Sequence, residues 1–112
     1  MLVNVIGAKC IGIDAVPVTV EVDVVSGIGI HLVGLADTAV KESLLRTITA
    51  LQALEYRIPG RKIVINLAPA DLKKEGTAYD LTIAVGILGA TGAVNPDAFD
   101  KYVIMGELGC CG

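Results

Sequence analysis

The chain has 112 residues, 54% hydrophobic but only 4% aromatic, with a formal net charge of −3. These figures exclude a disordered chain, which is poor in apolar residues, and a strongly basic nucleic-acid-binding surface of the usual kind. What remains is one domain, residues 1–112, whose core is built from Val, Ile, Leu, Ala and Gly.

No apolar run reaches the roughly 18 residues that a membrane helix needs. The opening MLVNVIGAKCIGID lacks the basic start and the small-residue cleavage site of a signal peptide. The expected compartment is therefore the cytoplasm, with no membrane partner. The three cysteines agree: Cys10 lies in an apolar stretch, and the adjacent Cys110 and Cys111 have no framework spacing.

In chain order, Leu2 to Ile6 reads as a short strand, with Gly7 or Gly12 able to bend the chain. Val16, Val18, Val20, Val22 and Val24 alternate with Pro17, Thr19, Glu21 and Asp23. That period of two marks a strand with one buried face. Ser26-Gly27-Ile28-Gly29 reads as a turn, and Ile30 to Leu35 as a third strand returning antiparallel to the second. Asp37 is placed to cap a helix on which Val40, Leu44, Ile48, Leu51 and Leu54 form an apolar stripe, with Lys41, Glu42, Arg46 and Gln52 off it.

Pro59-Gly60 closes that connection, and Lys62 to Leu67 is a compact strand, giving a βαβ-like unit. Ala68 to Tyr79 is a polar loop. Asp80 is expected to cap a second helix, Leu81 to about Ala90, which is apolar nearly all round. After the breakers Gly92 and Asn95-Pro96, Tyr102 to Met105 reads as a last strand. A strand so close to the final residue leads to the expectation that the chain is part of a longer protein. The fold class is α/β (α+β): a mixed sheet with two packed helices.

Chemistry-bearing motifs are mostly absent. There is no GxxxxGK[ST] phosphate loop and no GxGxxG after a strand. His31, the single histidine, alternates within an apolar strand and reads as a packed or edge residue, since zinc sites need several His or Cys ligands. Asp71, Glu75 and Asp80 are oxygen donors of the kind that magnesium or calcium takes, but their spacing matches no ion-binding loop, and capping and solvation account for them. Arg57, Arg61 and Lys62 form one basic group, and Lys73 and Lys74 another. Solvated charged edges are common, and each group has that plain reading as well.

Three stretches are distinctive together: VGLADTAVKES from Val33 to Ser43, NLAPADLKKEG from Asn66 to Gly76, and Tyr79-Asp80-Leu81 with Gly106-Glu107-Leu108. In this order they resemble the N-terminal domain of bacterial magnesium-chelatase-like AAA+ ATPases of the ComM/YifB type, over essentially the whole chain. The resemblance implies the fold shared with Lon-type proteases and GHMP kinases. It also implies a downstream AAA+ module that holds ATP and magnesium, hexameric assembly with sister subunits, and action on DNA as a branch-migration helicase. Members are often labelled magnesium chelatases or ATP-dependent proteases. Where the family usually continues Gly-Glu-Leu-Ser-Leu-Asp-Gly, this chain has Gly106-Glu107-Leu108-Gly109-Cys110-Cys111-Gly112.

The Lon-type alternative is a serine peptidase, with its nucleophile in Gly-Pro-Ser-Ala-Gly before the second helix. The matching stretch is Gly76-Thr77-Ala78-Tyr79-Asp80, which puts Ala78 at the serine position. Alanine supplies no nucleophile, Thr77 is displaced by one residue, and the partner lysine would fall beyond Gly112. A magnesium-chelatase subunit is the other alternative, and it rests on the family label alone. The leading expectation is a non-catalytic accessory domain of a DNA-acting ATPase. Its catalytic, cofactor and metal residues are expected to be none, and Arg57, Arg61, Lys62, Lys73 and Lys74 are its candidate phosphate or partner contacts.

Overall fold

The computed structural model describes residues 1–109. Cys110 and Cys111 lie outside the described residues. Four strands form one mixed sheet: β1 (Val3–Ile11), β2 (Asp14–Val25), β3 (Ile30–Val33) and β4 (Lys62–Ala68). Two helices, α1 (Thr38–Ala53) and α2 (Asp80–Ala90), pack with it. No helix among the described residues is long and apolar enough to cross a membrane.

The alternating valines behave as their period requires. Val18, Val20, Val22 and Val24 are buried, while Thr19, Glu21 and Asp23 are only half-buried. The same alternation buries Val3 and Val5 on β1, and Ile63, Ile65 and Leu67 on β4. With Val40, Leu51, Ile83, Ile87 and Phe99 they make one core. α2 is buried over most of its surface because it is apolar nearly all round. A Cβ placed on Gly86 would stand 2.6 Å from Val22 Cγ2, so glycine there lets the helix come down on the strand.

The strand order corrects one expectation. The sheet runs β1-β2-β4-β3, so the expected antiparallel pair of the second and third strands does not form. β2 pairs antiparallel with β1 and β4, and β4 pairs parallel with β3. The hairpin is instead β1–β2, closed at Gly12-Ile13, and the βαβ unit is β3-α1-β4. Crossing over β4 spans two strand spacings, roughly 10 Å, which the four residues Ser26 to Gly29 can bridge, since extended chain covers about 3.3 Å per residue.

Tyr102 to Met105 is not a strand. Val103 makes one parallel pair with Ile6, and Ile104 N–H donates to Ile6 O at 2.8 Å. The next rungs are taken by side chains: Thr82 Oγ1 donates to Ile104 O, and Ala8 N–H meets Met105 Sδ at 3.2 Å. The ladder therefore stops after one step.

On α1, Asp37 caps as expected, its Oδ1 accepting Val40 N–H at 2.8 Å. The buried face is rotated from the expected stripe. Val40, Ser43, Thr47 and Leu51 are buried, Leu44 and Ile48 are half-buried, and Leu54 is 78% exposed. Small hydroxyl residues thus face inward where α1 meets α2. Thr47 Oγ1 donates to Asp80 O at 3.2 Å, whereas buried Ser43 Oγ has no partner among the described residues.

Candidate functional site

The distinctive stretches pair in space, the first with the second and Tyr79-Asp80-Leu81 with Gly106-Glu107-Leu108. Leu35, Ala36 and Asp37 run beside Lys74: Lys74 N–H donates to Leu35 O at 2.8 Å, and Asp37 N–H to Lys74 O at 3.1 Å. Gly34 makes this contact possible. Its φ is +102°, and a Cβ there would lie 2.3 Å from Leu67 O. The first two blocks are therefore a backbone joint between the start of α1 and the end of β4.

Lys74 belongs to that joint by its side chain as well. It is fully buried, and its Nζ donates to Pro69 O. Burial lowers its pKa below the usual lysine value; Lys9 adds to this, and Asp71 opposes it. The folded chain therefore gives up this proton more readily than the unfolded chain, which binds more protons in the interval just below about 10.4, the ordinary lysine pKa. Stability from this group rises with pH across that interval and falls as the pH is lowered through it. Denaturant titrations of the wild type and Lys74→Met at pH 7.5 and 9.5 should show the wild type gaining on the variant at the higher pH; a constant difference would mean that Lys74 is hydrated. The range stops short of 10 because burial raises the pKa of Tyr79, whose contribution is lost as the pH passes the ordinary tyrosine value.

The third block builds the start of α2. Asp80 is fully buried, and its side chain does not cap the helix, which corrects the expected cap; Tyr79 occupies that position. The carboxylate turns to α1 instead. Arg46 Nε donates to Oδ2 at 2.8 Å and Nη2 to Oδ1 at 3.0 Å, a two-pronged pair. Leu108 N–H donates to Oδ2 at 3.0 Å. The hydrogen bond to Asp80 is the main cause that raises the Arg46 pKa further. One carboxylate thus joins α1, α2 and the segment after Gly106.

The same segment closes the helix terminus. Leu81 N–H donates to Gly106 O at 3.0 Å, Asp80 N–H to Thr77 O at 3.4 Å, and Gly106 N–H to Ala78 O at 2.8 Å. Free amides at a helix start are what would stabilise an oxyanion, and here two of them are engaged by the chain's own carbonyls. Ala78 itself lines an open cavity of about 470 Å³ with Ala8, Lys9, Cys10, Glu75, Tyr79 and Met105. The neighbouring hydroxyl, Thr77 Oγ1, donates to Glu107 Oε2 at 2.9 Å. Lys9 pairs with Glu75 at 3.2 Å and also donates to Lys73 O.

The basic residues are separated. Arg57, Arg61 and Lys62 stand at the start of β4, and Lys73 follows its end. Seven residues of strand put roughly 20 Å between those ends. Arg57, Arg61 and Lys73 are exposed, Lys62 is half-buried, and Lys74 is turned inward.

A family model described as subunit ChlI of Mg-chelatase matches residues 20–112. The chain belongs to the ChlI family. Its relatives within it are of the ComM/YifB type. YifB of Escherichia coli is 45% identical over 103 residues, which are 91% of this chain and 20% of that protein. The competence protein ComM of Haemophilus influenzae is 40% identical over 102 residues, 90% of this chain and 20% of that protein. The chain spans about one fifth of the length of these curated relatives.

In this ChlI-family chain, no three His, Cys, Asp or Glu side chains come together as a possible metal site among the described residues. Asp80 is committed to Arg46 and Glu75 to Lys9, while Asp71 is exposed. His31 is exposed on the edge strand β3, and Cys10 is an exposed free thiol. No GxxxxGK[ST] sequence occurs in the chain. Arg46 is the residue whose role was hardest to foresee. The only signal was that it sits beside Thr47 and one turn from Ser43, on a helix whose inward face is partly polar.

Proposed function

We propose that this chain is a non-catalytic accessory domain of an AAA+ ATPase of the ComM/YifB type that works on DNA, and that it lends the motor phosphate contacts. ATP and magnesium belong to the ATPase module of the whole protein, and sister subunits to its ring. The observation that carries the non-catalytic half is Ala78. It stands at the nucleophile position of the Lon-type site, in front of helix amides already bonded to Gly106 O and Thr77 O. The DNA half is supported by the likeness to a protein named for competence and by the exposed Arg57, Arg61 and Lys73. Lys74 drops out of the contact set because its ammonium is spent inside the fold.

The test uses the full-length protein and a duplex oligonucleotide over a range of salt. Each phosphate contact adds about 0.9 to the log–log salt slope. Replacing Arg57, Arg61, Lys62 and Lys73 together by Ala should weaken binding and flatten the slope by roughly 2 to 4. An unchanged affinity and slope would leave the domain as a packing element alone. In parallel, a serine-directed fluorophosphonate probe should leave residues 1–112 unlabelled; labelling there would restore the peptidase reading.

A further inference from the structure

α1 ends in a way that builds a cavity. Glu55 N–H donates to Gln52 O at 2.9 Å and Tyr56 N–H to Leu51 O at 3.0 Å, the paired bonds that close a helix through a left-handed residue. That residue is normally glycine. Here it is Glu55, at φ +62°, the one non-glycine with positive φ among the described residues. A side chain is thus kept where glycine would be easier, and non-glycine outliers of this kind gather at ligand-binding positions. The turn throws Gln52, Glu55, Tyr56, Arg57 and Ile58 around an open cavity of about 480 Å³.

The chemistry of that cavity is specific. Tyr56 is half-buried against the core, and its hydroxyl is hydrogen-bonded to Thr91 Oγ1, which fixes the ring at the cavity wall. Gln52 offers a donor and an acceptor, and Glu55 an acceptor. Arg57 lies on the rim, and Arg61 follows at once, its N–H closing a tight turn on Pro59 O at 2.8 Å. The cavity lies at the C-terminal end of α1, whose partial negative charge repels phosphate. Glu55 and this helix end disfavour an anion beside them, whereas Arg57 in the lining and Arg61 just beyond it favour one. A neutral, flat, hydrogen-bonding group joined to a phosphate fits both halves.

We propose that this cavity takes an unpaired nucleobase of single-stranded DNA, stacked on Tyr56 and bonded by Gln52 and Glu55, with its phosphates on Arg57 and Arg61. The inference rests on the DNA-binding reading above and narrows it to one end of β4 and to single strands. Aromatic stacking tolerates any base, so the site has no sequence preference of its own. A duplex, whose bases are paired and stacked, cannot enter it.

The experiment uses full-length protein with fluorescein-labelled oligo-dT and a blunt duplex as probes. Tyr56→Leu should weaken oligo-dT binding on the order of ten-fold and leave the duplex unchanged, while Tyr56→Phe, which keeps the ring, stays near wild type. Oligo-dT carrying 5-iodouracil should photocrosslink to Tyr56 in the wild-type protein, a readout that does not depend on how the variants fold. Free dTMP should not displace the oligonucleotide; efficient displacement would assign the cavity to mononucleotides. Equal losses on both probes, no loss on either, or crosslinks only elsewhere would overturn the proposal. The wider DNA reading fails separately, through the salt slope of the alanine variant.

Discussion

Arg46→Met is expected to lower the melting temperature of the chain by roughly 10–20 °C. The reason lies on the other side of the pair. The Asp80 side chain is 0% exposed, and Arg46 supplies two of its three hydrogen bonds. Removing the guanidinium leaves a buried carboxylate with only Leu108 N–H, and an uncompensated buried charge is far costlier than the pair is beneficial. The double variant Arg46→Met/Asp80→Leu should recover much of the loss, because a packed apolar pair of similar volume has no charge to desolvate. Thermal unfolding followed by circular dichroism decides it. A drop of only a few degrees in the single variant would mean that water reaches Asp80.

Gly34→Ala should be nearly as damaging, at about 3 kcal/mol or more, by a different route. Two penalties coincide at this position. A φ of +102° is unfavourable for any residue with a Cβ, and that Cβ would sit 2.3 Å from the Leu67 carbonyl oxygen. The clash is with backbone, so no rotamer change relieves it. Moving β3 and β4 apart would instead break the Leu35–Lys74–Asp37 bonds that follow. Gly12→Ala is the matched control. Its φ is +62°, but nothing lies within 4 Å of the added atom, so only the conformational cost of about 1–2 kcal/mol applies. Denaturant midpoints of the two variants measured side by side test the comparison; equal losses would show that the close approach to Leu67 relaxes freely.

Gly34 and Asp80, on which the two predictions turn, lie inside the distinctive stretches, and this gives those stretches a physical meaning. VGLADTAVKES and NLAPADLKKEG hold together because Leu35 and Asp37 bond to the Lys74 backbone and Gly34 lies against Leu67 O, and Tyr79-Asp80-Leu81 meets Gly106-Glu107-Leu108 because Asp80 and Leu81 bond to that segment. Lys74, which looks in the sequence like half of a solvated basic pair with Lys73, is one of the largest fully buried side chains. Open cavities lie at the end of α1, along α1 at Glu42, Leu45, Arg46 and Thr49, and beside Ala78.

The sequence by itself determined whatever depends on neighbours along the chain. The valine alternation set the buried face of β2, Asp37 set the start of α1, and the all-apolar surface of α2 set its place in the core. That residue 78 is an alanine, with no hydroxyl, is likewise legible in the sequence. Only the tertiary structure decided which strand sits beside which, and which charges face inward. Local period fixes the face of a strand but not its partner, so β4 could enter between β2 and β3 without leaving a trace in either pattern. The fates of Lys74, Arg46 and Asp80 follow the same rule. A charged side chain is buried only where a distant carbonyl or counter-charge awaits it, and Pro69 O and the Arg46–Asp80 pair exist only once the chain has folded.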